Sequence, residues 1–121
     1  MADPILGLDE LLPSDSNAYL RQNDRNLIAA RLTVLPKAIA NNVTYPSGTI
    51  NRGDMWVVPA SATSHWAGKA ANTVAIALSL NPSSPGGWFF LTPDVGLRLW
   101  IAAGTGTTGH VVWNGSAYVA V

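Results

Sequence analysis

The sequence predicts a mainly β protein: a small antiparallel β-sandwich or barrel, preceded by an extended N-terminal arm and one α-helix. Three observations carry this. After residue 52 the apolar residues fall in short runs of period two, separated by Pro, Gly and Asn turn signals. Before residue 38 they follow a loose 3.6-residue stripe instead. Charge is also lopsided. Nine of the fourteen charged residues lie in positions 1–37, leaving Arg52, Asp54, Lys69, Asp94 and Arg98 for the rest of the 121-residue chain. A chain of this length fits one domain and can bury roughly 65% of its unfolded surface.

Residues 1–15 read as an extended arm. Pro4 and Pro13 bracket Ile5, Leu6 and Leu8, then Leu11 and Leu12. These are apolar but too short and broken to form a domain alone. The alternatives are a frayed terminus or a segment that docks on a neighbouring subunit. Ser14 to Asn17 offers N-caps for the helix of segment 16–37, which runs from about Asn17 to Leu35 and stops before Pro36. Leu20, Leu27, Ile28, Ala30, Val34 and Leu35 form its stripe, with Tyr19 alongside; Arg21, Asp24, Arg25 and Arg31 lie on or beside the other face. Asp24 has Arg21 and Arg25 within pairing distance along the helix. The stripe suits packing against copies of itself in a three-fold bundle, or against its own sheet.

Residues 38–52 read as a polar linker, and residues 53–121 as the β domain. Met55–Val58 forms a short strand closed by Pro59, and Thr73–Leu80 another. Between them lies a small-residue loop leading to His65 and Trp66. The stretch Gly86–Ala103 reads as a central hairpin about Thr92–Gly96, with Pro93 pre-setting φ and Gly96 free to take φ > 0. Both its faces are largely apolar, so it should be covered on both sides. A Gly/Thr loop, 104–109, leads to a last hairpin about Asn114–Gly115. That turn suits a two-residue type I′ loop, whereas a four-residue loop would set Trp113 opposite Tyr118.

Composition narrows the function classes. Net charge is zero, so no basic footprint suggests nucleic acid. There is no cysteine, hence neither disulfides nor thiolate metal sites. The N-terminal sequence lacks the basic and long apolar regions of a signal peptide, and the longest apolar run, 74–80, is too short to span a bilayer. Charged residues make up 12% of the chain, against about 25% in an average domain. Such a surface is either covered by Ser, Thr and Asn or buried against partners, and the second fits better.

Chemistry-bearing motifs are sparse. His65 and His110 are the only histidines and show no metal-ligand spacing. Asp54 and Asp94 each sit at a turn or strand start, where Asp usually bonds local backbone. Gly104-x-Gly106-x-x-Gly109 matches a dinucleotide fingerprint in form only, because no helix opens after it. No catalytic residue, cofactor or metal is expected. The five tryptophans, Trp56, Trp66, Trp88, Trp100 and Trp113, could stack on sugar rings or fill the core. Trp88 and Trp113 read as core; Trp66, beside His65 in a small-residue loop, reads as the ring with most exposure, with Trp56 and Trp100 intermediate. Of these, His65, Trp66 and Trp56 are the candidate ligand-binding residues.

The succession Gly53-Asp54…Val57-Val58, Ala62-Thr63…Trp66-Ala67-Gly68, Gly87-Trp88-Phe89-Phe90…Pro93…Gly96…Trp100-Ile101 and Trp113-Asn114-Gly115…Tyr118-Val119 resembles a known family. It is a small domain of bacteriophage and gene-transfer-agent virion proteins, found in head spikes, fibres and related surface components. Asn23-Asp24 is similar to the family's Asn-acidic pair in a preceding helix, so the resemblance spans about residues 17–121. Asn114-Gly115 and Tyr118 depart from the family's Asp-Gly and later Trp. The resemblance implies a virion structural protein at the particle surface, assembled in the host cytoplasm. Longer members carry a receptor-binding region after this domain; this sequence stops at Val121, which favours a decoration (cement) or adaptor subunit. The expected partners are the major capsid protein or another virion component, further copies in a homotrimer, and no nucleic acid or membrane. Contacts would come from Ile5, Leu6, Leu8, Leu11, Leu12, Tyr19, Leu20, Arg21, Arg25, Leu27, Ile28 and Arg31. The alternative is a head-spike or tail-fibre module whose exposed tryptophans bind a host-surface glycan.

Overall fold

Seven short strands build two sheets in a computed structural model that describes residues 24–29 and 35–121. Strands β1 (Lys37–Ala38), β5 (Arg98–Ile101), β6 (Gly109–Trp113) and β7 (Tyr118–Ala120) form one sheet in the order β1-β5-β6-β7. Strands β2 (Met55–Val57), β3 (Val74–Ala77) and β4 (Trp88–Leu91) form the other in chain order. All pairings are antiparallel except β1 with β5. The mainly β class is as the alternating periods require.

The two sheets join at one corner. The Trp100 and Ala102 amides donate to the Pro36 and Ala38 carbonyls on one side of β1. One residue further on, the Ile39 amide donates to the Met55 carbonyl, and the Ala40 carbonyl accepts from Val57. The chain therefore leaves one sheet and enters the other within four residues. Two layers thus become a half-closed barrel, in which β1 and β2 each lose an edge. Residues 37 and 38, placed at the helix end and in a polar linker from sequence, are strand. Ala38, Ala40 and Ile50 of that supposed linker are buried. Short apolar residues spaced among Asn and Thr gave no period to read; their burial comes from the corner.

The core between the sheets comprises Met55, Val57, Val74, Ile76 and Leu91 facing Ala38, Leu99, Ile101, Val111 and Tyr118. The Tyr118 hydroxyl donates to the Asn72 carbonyl at 2.8 Å, tying β7 to the opposite sheet. Burial raises the Tyr118 pKa well above the ordinary tyrosine value. The folded protein thus favours the neutral phenol: its contribution is complete below pH about 10 and is lost as pH rises through the folded-state value. Alkaline unfolding followed by circular dichroism should therefore steepen above pH about 10. Tyr118→Phe should flatten that limb while costing about 1 kcal/mol at neutral pH for the hydrogen bond. An unchanged alkaline limb in the variant would contradict the assignment.

The expected central hairpin does not exist. β4 pairs with β3, β5 pairs with β1 and β6, and residues 92–96 carry the chain from one sheet to the other. The two strands bury different faces. β4 is apolar on both: Phe89 and Leu91 face the inter-sheet core, while Trp88 and Phe90 face outward into a second cluster. β5 alternates, with Leu99 and Ile101 inside and Arg98 and Trp100 exposed. Side by side they would set that polar face against the Trp88 face. Gly96 does take a positive φ, 97°, and Asp94 bonds the Val95 amide locally, as expected of both.

The last hairpin takes the four-residue form. Trp113 stands opposite Tyr118, with ring centroids 4.9 Å apart. Asn114 closes the loop: its Oδ1 accepts from the Ser116 and Ala117 amides, and its own amide donates to the Ala117 carbonyl.

Residues 24–29 are helical and Leu35, expected as the last helical residue, is not; residues 16–23 and 30–34 of the expected helix lie outside the described residues. Ile28 packs with Ala29 on Leu78 and Phe89, the own-sheet alternative for this stripe. Asp24 pairs with Arg52, at 2.9 Å; Arg21, one of its two expected partners, lies outside the described residues. Arg52 also donates to the Leu78 carbonyl. Both partners of the ion pair are 40% exposed, so it positions the helix more than it stabilises it.

Candidate functional site

Three surfaces bear on function, and the first is a correction. Trp66 is completely buried, and Trp56 and Trp88 nearly so. With Tyr45 they form an aromatic layer on the outer face of the three-stranded sheet. Trp66 lies 5.2 Å from Trp88, 5.3 Å from Tyr45 and 5.9 Å from Trp56 between ring centroids. His65 stands edge-on to Tyr45 at 5.5 Å and is half-buried. Trp66 and Trp56 therefore present no ring to a sugar. Ala75 and Ala77 of β3 leave the space these indoles fill. The loop carrying Trp66 folds over them, held by the Thr63 amide on the Thr44 carbonyl and the Trp66 amide on the Thr63 carbonyl. Lys69 Nζ sits 4.3 Å from the Phe90 ring centre at the margin of this layer.

Small neighbours made Trp66 look like a loop-tip residue. The counter-signal was the double-sided apolar pattern of β2 to β4, which requires a cover. The indole nitrogens of Trp66 and Trp88 have no hydrogen-bond partner among the described residues. Their surroundings are aromatic rings in T-shaped contact, the arrangement ring quadrupoles favour.

The second surface is the N-terminal region. Of its proposed contact residues, Arg25, Leu27 and Ile28 lie in the described helical segment. Ile28 is buried against Leu78 and Phe89, so it serves the chain's own packing. Ile5, Leu6, Leu8, Leu11, Leu12, Tyr19, Leu20, Arg21 and Arg31 lie outside the described residues.

The third surface was not singled out from sequence: the outer face of the four-stranded sheet. Register puts Lys37, Trp100 and His110 in one row, extended by Val121, whose amide donates to the His110 carbonyl. Arg98, Val112 and Val119 form the next row. Trp100 is 42% exposed, and Leu35, Val119 and Val121 are exposed as well. At one end this face runs into an open groove of about 600 Å³. Leu35, Pro36, Leu91, Val95 and Leu97 give the groove an apolar lining, with Arg98 and His110 on the sheet side. His110 Nε2 is buried there without a partner among the described residues. The exposed–buried alternation of β5 was the readable sign of this face, hidden by its assignment to a hairpin.

Among the described residues no group of three or more His, Cys, Asp or Glu could hold a metal ion, and no helix is long and apolar enough to cross a membrane. Asp54 accepts from the Asn51 amide, so like Asp94 it is engaged with local backbone.

The chain belongs to the DUF2793 family, described as "Protein of unknown function (DUF2793)", whose match covers residues 30–119. That span takes in both sheets and the aromatic layer. No curated protein and no solved structure matches the chain.

Proposed function

We propose that this protein is a bacteriophage virion structural protein, a capsid decoration (cement) subunit that binds and stabilises the capsid lattice through its N-terminal arm and helix. The observation that carries the reading is the ordered motif series over residues 17–121, which resembles virion surface proteins. Two features support it. The surface of the β body is poor in charge and carries exposed apolar side chains, as expected where further contacts form. The arm before it is rich in Ile and Leu.

Such a subunit acts by buried area. Each docked arm removes apolar surface from water at roughly 25 cal/mol per Å², before ordering costs are subtracted. Repetition over a lattice, and trimerisation, let weak contacts add by avidity. Deleting residues 1–15 should abolish co-sedimentation with purified capsids while leaving the far-ultraviolet circular dichroism of the β body intact. Undiminished coating by the truncated chain would end the anchoring role.

A further inference from the structure

The groove at the end of the outer sheet face has the form of a small-molecule site. It opens at one end of the half-closed barrel and holds about 600 Å³, within the ~300–1,000 Å³ of ligand pockets. Its walls divide by chemistry. Leu91, from the end of β4, belongs to the inter-sheet core and forms the inner wall with Leu97. Leu35 and Val95, both exposed, form the outer wall with Pro36. On the sheet side stand Arg98 of β5 and His110 of β6, which the register makes diagonal neighbours at a spacing of about 7–8 Å. The Arg98 side chain is exposed and has no ion-pair partner among the described residues. His110 Nε2 is buried and has no hydrogen-bond partner among them either. Asp94 also lines the groove, but its Oδ1 already accepts from the Val95 amide, and Lys37 of the next row adds a second cation.

We propose that this groove binds an aliphatic carboxylate, with its carboxylate on the Arg98 guanidinium and its unbranched tail between Leu35, Leu91 and Leu97. The walls select this class. A neutral hydrocarbon would leave Arg98 without a counter-charge, whereas a planar guanidinium matches a carboxylate in a two-point contact. A sugar brings hydroxyls, and a peptide brings an amide and a carbonyl about every 3.3 Å. Side chains of Leu, Pro and Val give such groups few partners, and burying them unpaired is costly. An unbranched tail brings only methylenes, each of which gains about fourfold in affinity when buried. Because Arg98 and His110 stand together on the sheet side, the head is fixed there and the tail runs toward Leu91. The bound tail would also take Leu35 and Val95 out of water. This site does not rest on the decoration role proposed above.

The test is a titration of the full-length ¹⁵N-labelled protein with decanoate, kept below its micelle concentration. The amides of Leu35, Leu91, Val95, Leu97 and Arg98 should shift together and saturate at one site per chain. Octanoate should bind more weakly by about fourfold for each methylene removed. Decanol, with the same tail and no charge, should bind about tenfold more weakly than decanoate. Arg98→Gln should bring decanoate down to the affinity of decanol and leave decanol unchanged. Arg98 is exposed, so this variant should keep the rest of its spectrum. No saturable shift, shifts centred on another surface, or equal affinity for decanoate and decanol would overturn the site. A preference for decanoate that survives Arg98→Gln would overturn it too. So would the same amides shifting with protein concentration alone, which would assign the groove to a second copy. None of these readouts involves a capsid, so they fail or succeed apart from the decoration role.

Discussion

Replacing Trp66 with alanine should cost about 3–5 kcal/mol, the range for truncating a large aromatic in a packed interior. Total stability in domains of this size is about 5–15 kcal/mol, so the variant should sit near the edge of folding. The expectation follows from position. Trp66 is fully buried and touches Tyr45, Trp56 and Trp88 at once, so its removal opens a cavity in a layer with no other cover. Neighbouring Ala62, Ala75 and Ala77 are too small to collapse into the space. Near-ultraviolet circular dichroism should lose its aromatic signal, and the urea midpoint should fall steeply. Trp66→Phe should recover part of both. A Trp66→Ala variant within 1 kcal/mol of the parent, with its near-ultraviolet spectrum kept, would show that the aromatic layer does not stabilise the fold.

Gly104→Ala comes next. Gly104 has φ of +137°, where an L side chain is strained, and an added Cβ would overlap the Asn41 amide oxygen. That oxygen accepts from the Thr105 amide, and Asn41 Nδ2 donates to the Thr105 carbonyl. Asn41 thus acts as a strand-like partner for the loop beside the sheet corner, with its own amide on the Ala103 carbonyl. Strain of about 1–3 kcal/mol and loss of two exposed hydrogen bonds of about 0.5–1 kcal/mol each give about 2–5 kcal/mol in all. Asn41→Ala alone should cost about 1–2 kcal/mol. The double variant should cost less than the sum, because the clash disappears with the side chain. Strict additivity in urea unfolding would mean that Asn41 and Gly104 are not coupled.

These two sites show what the sequence could and could not convey. Period-two runs at 55–58, 73–80 and 111–119 were enough to recover the β class and most strands, because alternation is local. Partner choice is not local. Residues 88–101 look like one hairpin in sequence, and only the mismatch between a strand buried on both faces and one buried on a single face separates them. Trp66 was misplaced for the same reason: its burial depends on a sheet face many residues away. The β1 corner left no period at all, since Ala38 and Ala40 are short and β1 itself spans only Lys37–Ala38. The outer face around Trp100 followed once β5 was placed in the correct sheet. The arm residues Ile5 to Leu12 were legible as apolar pairs among acids; their role rests on composition and resemblance.

The decoration role is tested most directly by where the protein sits on an assembled particle. Cryo-electron microscopy of purified virions should place the β body outside the capsid shell at lattice symmetry axes, with residues 1–15 running along the capsid surface or onto an adjacent copy. Density confined to the tail, or a β body attached through its aromatic layer with the arm unengaged, would contradict it.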